Sequence, residues 1–232
     1  MKGKVYLVGA GPGDYKLLTL KGLECIKKAD VIVYDRLANK NYLKEAKENC
    51  EFIYVGKASS NHTLPQDDIN RVIADKAKEG KIVTRLKGGD PYVFGRGGEE
   101  GELLKEEGIE FEVVPGITSA IGGLCYAGIP ITHRDYASSF HVITGHLRDD
   151  DKENPEINWN ALANTNGTLV FLMGVANLQK ISSNLIKEGK SKDTPVALIS
   201  WATRSNQRVI TSTLESKGEC EATNSYSCWR CS

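Results

Sequence analysis

Residues 82–107 read IVTRLKGGDPYVFGRGGEEGELLKEE, and three periods follow one another in them. Ile82–Leu86 is a short apolar run with strand character, and Glu99–Glu107 carries helical spacing. Between them lie five glycines from Gly88 to Gly98, which no helix runs through. A strand that opens into a glycine loop and then a helix is the unit of a mostly parallel sheet, with right-handed crossovers.

The same alternation continues on both sides. Upstream, strands are expected at Val5–Val8, Val31–Tyr34 and Phe52–Val55, with helices at Leu18–Ala29 and Gln66–Glu79. Downstream come a strand at Phe111–Val114, the punctuation Pro115-Gly116, and a helix over Ser119–Ala127. Strands follow at Phe140–Thr144, Leu169–Met173, Val196–Ser200 and Arg208–Ser212, with a helix at Ala176–Glu188. Asp149–Pro155 is the most polar interior stretch and reads as an exposed loop. The expected architecture is α/β: two α/β lobes, residues 1–114 and 115–215, with a ligand cleft between them at the carboxyl ends of strands. Residues 216–232, SKGECEATNSYSCWRCS, have neither period and are expected to form an irregular or disordered tail.

Composition sets outer limits. The 232 residues are 40% hydrophobic and 26% charged, an ordinary globular balance. Thirty basic and thirty acidic residues give zero net charge, so no global field favours nucleic acid or an anionic membrane. No apolar run approaches the roughly 18–20 residues of a membrane span. The opening MKGKVYLVGAGPGD reads as a first strand and not a signal peptide, so a cytoplasmic location is expected. The six cysteines are sparse, and the lone CxxC at Cys228–Cys231 lacks the second pair of ligands that a zinc site requires. No metal is expected.

Three loops carry the chemistry. Gly9-Ala-Gly-Pro-Gly13-Asp14 follows the first strand but is no dinucleotide fingerprint. Asp14 stands where the third glycine belongs and would repel pyrophosphate, and Pro12 removes a phosphate-binding amide. In Arg85–Glu100, Asp90 is a candidate acceptor for a ribose hydroxyl or an ammonium, while Arg85, Lys87 and Arg96 are candidate carboxylate holders. In Pro115-Gly-Ile-Thr118-Ser119-Ala, either hydroxyl is fit to cap the following helix.

Taken together and in order, GAGPGDxxLLTLKG, VGK at 55–57, RLKGGDPYVFGRGGEE and PGITSA resemble the tetrapyrrole methylase family, in particular its uroporphyrinogen-III C-methyltransferases. The likeness runs over about residues 3–215. It implies two α/β lobes, a homodimer, and S-adenosyl-L-methionine held in a folded shape, which needs no pyrophosphate site. It places the cofactor at Pro12, Gly88, Gly89, Asp90, Val93, Thr118, Ser119, Met173 and Ala202. It implies a proton acceptor at Asp35 and a proton donor at Lys57. Arg96 and Glu99 match positions that hold or deprotonate the macrocycle. The implied substrate, uroporphyrinogen III, carries eight carboxylates, for which Arg36, Lys57, Arg85, Lys87, Arg96 and Arg134 are the expected basic rim. The implied reaction is methylation at C2 and then C7 to give precorrin-2. Alternatives on the same fold are a methylase of a later corrin intermediate and an inactive ligand-binding copy. The latter is raised by residues 216–232, which stand where the family carries a helix and a last apolar strand.

Overall fold

The computed structural model describes residues 3–56, 65–146 and 157–216, and the backbone of 227–231. Lys57 and the Asp149–Pro155 loop lie outside these described residues. The protein divides into two compact units, Met1–Thr118 and Ser119–Ser232.

In the first unit, strands β1 (Lys4–Gly9), β2 (Val31–Tyr34), β3 (Glu51–Tyr54), β4 (Ile82–Lys87) and β5 (Glu110–Val114) form one sheet in the order β3-β2-β4-β1-β5. Every pairing in it is parallel. Helices α1 (Leu20–Lys28), α2 (Gln66–Lys78) and α3 (Gly97–Glu106) make the crossovers. Side chains alternate along each strand, and here both faces are covered. Val5, Leu7, Val31, Val33 and Val83 pack with Ile69 and Ile73 of α2 and Leu104 of α3. Val8, Ile32 and Leu86 pack on the other face with Cys25 and Ile26 of α1 and with Tyr42. Thr19 ends the loop before α1 by accepting the Gly22 amide at 3.0 Å.

The second unit contains α4 (Ser119–Tyr126), β6 (Phe140–Thr144), α5 (Trp159–Ala163), β7 (Thr168–Leu172), α6 (Leu178–Lys187), β8 (Pro195–Ser200), β9 (Arg208–Thr213) and β10 (Ser227–Cys231). Its sheet runs β6-β7-β10-β8-β9. Leu169, Phe171 and Leu198 face Ile181 and Leu185 of α6, and Val170, Leu172 and Ile199 face Ala120 and Leu124 of α4.

The element expectations hold for the regular strands and long helices, with ends moved by a residue or two. Three features differ. The short helix α5 falls where the sequence shows no full helical period. The second sheet is mixed, because β9 and β10 run antiparallel to their neighbours. The expectation of a wholly irregular tail is corrected for residues 227–231, which form the central strand of the second sheet. Cys228 stands opposite both Leu172 of β7 and Ile199 of β8. Ladder bonds come from backbone, so a segment without aliphatic alternation still fills a gap between two paired strands.

One polar clamp ties the start of the parallel sheet. Asp30 accepts the Ile82 amide at 2.7 Å and the Lys47 ammonium at 2.5 Å. The Lys47 contact, and then the Ile82 amide, hold its carboxyl below the ordinary carboxylate range. A depressed folded-state value gives stability that is present at neutral pH and lost as pH falls below about 4. Asp30→Asn is therefore expected to lower stability by about 1 kcal/mol at pH 7. Denaturant melts across pH should show that gap closing on acidification. For β10, removal of residues 227–232 unpairs β7 and β8 together. Each lost ladder bond is worth about 1 kcal/mol net, against a total of roughly 5–15 kcal/mol for a domain. The shortened protein should be insoluble or should lose cooperative unfolding of its second unit, as read by calorimetry.

Candidate active site

The strands β4, β1 and β5 are neighbours, so their carboxyl-terminal loops emerge side by side. The three glycine motifs are these loops, and they meet backbone to backbone. Gly11 and Gly89 exchange both amide–carbonyl bonds, at 3.1 and 2.7 Å. A Cβ on Gly116 would sit 2.2 Å from the Gly89 carbonyl oxygen, and one on Gly9 would sit 2.5 Å from the Gly116 nitrogen. No side chain fits at Gly9 or Gly116. Asp90 braces the junction: Oδ2 accepts the Gly116 amide at 3.0 Å, and Oδ1 accepts the Tyr92 amide at 2.8 Å. The Gly11–Gly13 loop is held from below. The buried Tyr42 hydroxyl donates to the carbonyl oxygens of Ala10 and Asp14, and Asn39 donates to that of Gly13.

A second cluster lies at the end of β2. Asp35 accepts the Leu37 amide at 2.9 Å through Oδ1 and pairs with Arg85 Nη2 at 3.0 Å through Oδ2. Arg85 is buried, with Nε on Glu100 Oε1 at 3.1 Å, and Lys87 Nζ reaches the same oxygen at 2.7 Å. Burial, and then the Arg85 charge, push the Lys87 ammonium below its ordinary value, while Glu100 opposes them. This corrects the expectation for Arg85 and Lys87. Both are 3% exposed and paired with Glu100, so neither stands on a solvent-facing rim.

Arg96 is exposed, in the left-handed region at φ 57°, and forks onto Glu99 at 2.8 and 2.6 Å. That pairing raises the Arg96 value and lowers the Glu99 value. Tyr92, Val93 and Phe94 form an exposed apolar run just before it. Arg36 and Arg134 are exposed. Pro12, Gly88, Gly89, Asp90, Val93 and Thr118 belong to the first unit, and Ser119, Met173 and Ala202 to the second.

The second unit repeats the device of apposed strand-end loops. A Cβ on Gly145, after β6, would sit 2.3 Å from the Gly174 Cα, after β7. Met173 (φ 60°) after β7, and Trp201 (φ 51°) and Thr203 (φ 63°) after β8, are non-glycine residues in the left-handed region. Such strain collects at functional loops. Met173 is exposed and Ala202 is buried.

The family model for Tetrapyrrole (Corrin/Porphyrin) Methylases matches residues 4–217. The chain belongs to this family. A uroporphyrinogen-III C-methyltransferase of Priestia megaterium is 56% identical over 212 residues, 91% of this chain and 88% of the relative. A Methanosarcina barkeri S-adenosyl-L-methionine-dependent uroporphyrinogen III methyltransferase is 57% identical, covering 91% and 83%. Among solved structures, the Thermus thermophilus uroporphyrin-III C-methyltransferase complexed with S-adenosylhomocysteine superposes with a TM-score of 0.82. It is 36% identical, and the match spans 98% of this chain and 92% of that one.

In this tetrapyrrole methylase the glycine junction and the start of α1 are both closed by the protein's own contacts. Gly9, Gly89 and Gly116 leave backbone, and not side chains, as the lining of the junction. The Gly22 amide at the start of α1 is already taken by Thr19, so it is not free for a pyrophosphate. Sequence reasoning missed Glu100, Tyr42 and Asn39. A signal for Glu100 was present: Arg85 and Lys87, two apart on a strand, share one face and need a buried anion.

Gly116→Ala forces its Cβ against backbone on two sides. It is expected to abolish measurable S-adenosylhomocysteine binding by calorimetry, with a stability loss of about 2 kcal/mol or more.

Proposed function

We propose that this protein methylates uroporphyrinogen III at ring carbons C2 and then C7, giving precorrin-2. The observation that carries this reading is the 56–57% identity to named uroporphyrinogen-III methyltransferases along nine-tenths of the sequence. It takes in the loops whose backbone junction has been described. S-adenosyl-L-methionine, when bound, supplies a methyl group on a sulfonium for attack by an electron-rich pyrrole carbon.

The protein's own residues have three tasks. The glycine junction, with Pro12, Gly88, Gly89, Asp90, Val93, Thr118, Ser119, Met173 and Ala202, holds the donor. Asp90 also braces the junction, each oxygen accepting one loop amide and keeping a lone pair for a ribose hydroxyl or an ammonium. The exposed Arg36, Arg96 and Arg134 receive substrate carboxylates, and the apolar run 92–94 offers surface to the macrocycle. Arg96 already grips a carboxylate bidentately, and a substrate carboxylate takes the place of Glu99 by exchange. Asp35 accepts the proton that the methylated ring must lose, and Lys57 is the matching donor. Much of the rate comes from positioning, since the pyrrole carbon is already nucleophilic.

We further infer a homodimer in the cytoplasm. β9 is a sheet edge with exposed Val209 and Ile210, β6 is the opposite edge with exposed Phe140, and α4 exposes Ile121 and Tyr126. Apolar surface of this kind is usually covered by a partner. Cys25 and Cys50 are buried free thiols whose values burial pushes up, as suits a reducing compartment. Among the described residues, no helix is long and apolar enough to cross a membrane.

The alternatives have less behind them. A later-corrin methylase does not account for the high identity to uroporphyrinogen-III enzymes. With β10 in the sheet, the strand position that residues 216–232 would otherwise leave empty is filled, which removes one ground for the inactive-copy reading.

Mass spectrometry after anaerobic incubation with uroporphyrinogen III and S-adenosyl-L-methionine should show the gain of two methyl groups. Asp35→Asn should lower kcat by about 10²–10⁴ with cofactor affinity retained. No methyl gain, with S-adenosylhomocysteine still bound, would point to another substrate.

A further inference from the structure

Asp35 is held in place by a series of charged contacts that continues away from the site. Its Oδ2 meets Arg85 Nη2, and the same guanidinium spends Nε on Glu100 Oε1 and Nη1 on the Leu86 carbonyl. All three nitrogens of that fork are therefore engaged, and its orientation is locked. Glu100 sits in the first turn of α3 with its side chain fully buried. One of its oxygens, Oε1, takes Arg85, Lys87 at 2.7 Å and Gln66 at 3.3 Å. The other, Oε2, is buried with no hydrogen-bond partner among the described residues. A buried carboxylate oxygen without a donor is costly, and nothing in packing alone calls for an acid there. What this carboxylate does provide is an anchor that fixes two cations at once, two residues apart on β4.

We propose that Glu100 and Arg85 are positioning residues for the methyl transfer: Glu100 locks the Arg85 fork, and the fork holds the Asp35 carboxylate aimed at the end of β2. This rests on the reading of Asp35 as proton acceptor. Glu100 is fully buried, with Oε1 on Arg85, Lys87 and Gln66, so it acts on the site through Arg85. Lys87 completes the anchor by fixing the rotamer of the Glu100 carboxylate. Asp35 is held through both oxygens, by the Leu37 amide and by the Arg85 fork, so what the anchor supplies to the reaction is aim.

Glu100→Gln keeps the shape but removes the negative charge that Arg85 and Lys87 share, so the bonds that lock the fork are no longer charge-assisted on the acceptor side. Arg85→Lys keeps the charge but loses the fork that spans Asp35 and Glu100. Both variants, their double and Asp35→Asn would be assayed by steady-state methylation, with S-adenosylhomocysteine Kd and thermal midpoint measured alongside. The expectation is a kcat loss of about tenfold or more for each of Glu100→Gln and Arg85→Lys, since small misplacements of a reacting group cost up to about 10²-fold. KM for both substrates and the S-adenosylhomocysteine Kd should stay within about twofold, because the buried anchor acts through Asp35. The double variant should lose no more than Arg85→Lys alone, because the two act in series. Wild-type kcat in Glu100→Gln overturns the proposal, and so do losses that multiply in the double. A KM rise without a kcat fall overturns it as well. If Asp35→Asn keeps wild-type kcat while Glu100→Gln does not, the proton-acceptor reading fails instead. Should Arg85→Lys not fold, the kcat-against-KM split of Glu100→Gln decides alone.

Discussion

The first unit depends on a contact that contains no side chain. Gly9, Gly89 and Gly116, from the ends of three adjacent strands, approach until a single methyl group on Gly9 or Gly116 would overlap a neighbour's backbone. The approach requires the strand order β4-β1-β5, because only adjacent parallel strands deliver their loops to one spot. It also requires that the loops' own polar groups be satisfied within the junction. The Gly11–Gly89 exchange, the Asp90 brace and the Tyr42 hydroxyl do this. Methyl-donor chemistry by positioning needs a rigid frame, and backbone locked to backbone has no rotamers to lose.

Much of this was legible because its cause is local. Gly88–Gly98 announces a loop through glycine density, and Val31–Tyr34 announces a strand through an apolar run of β-branched residues. The spacing of the motifs likewise marked the family. What was not legible rests on distant partners. Arg85 and Lys87 read as surface cations because their shared partner, Glu100, is supplied by the next crossover helix. Tyr42 shows as one aromatic in a polar stretch, and only the folded protein places its hydroxyl under the glycine loop. Strand β10 was missed for a related reason: its place comes from an unfilled ladder between β7 and β8, not from any period in Ser227–Cys231.

The two glycine-junction devices differ in what they ask of the backbone. In the first unit, the junction itself is glycine, left-handed at Gly11 and Gly89 and tight at Gly116, and side chains at positive φ (Phe94, Arg96) come only farther along the β4 loop. In the second, Met173, Trp201 and Thr203 hold positive φ with a side chain attached. There the backbone cost is kept at loops that also present a side chain, as at the exposed Met173.

The place of β10 also bears on the order of events during synthesis. The first unit is complete once Thr118 has been made, and its sheet pairs only strands already in hand. The second sheet is assembled in halves, β6-β7 and β8-β9, which stay unjoined until residues 227–231 arrive between them. Until then each half presents an open ladder to whatever extended segment is nearby. The nascent second unit is therefore most exposed to aggregation and proteolysis after β9 has been made and before β10 has, and β10 acts as the latch that closes that interval.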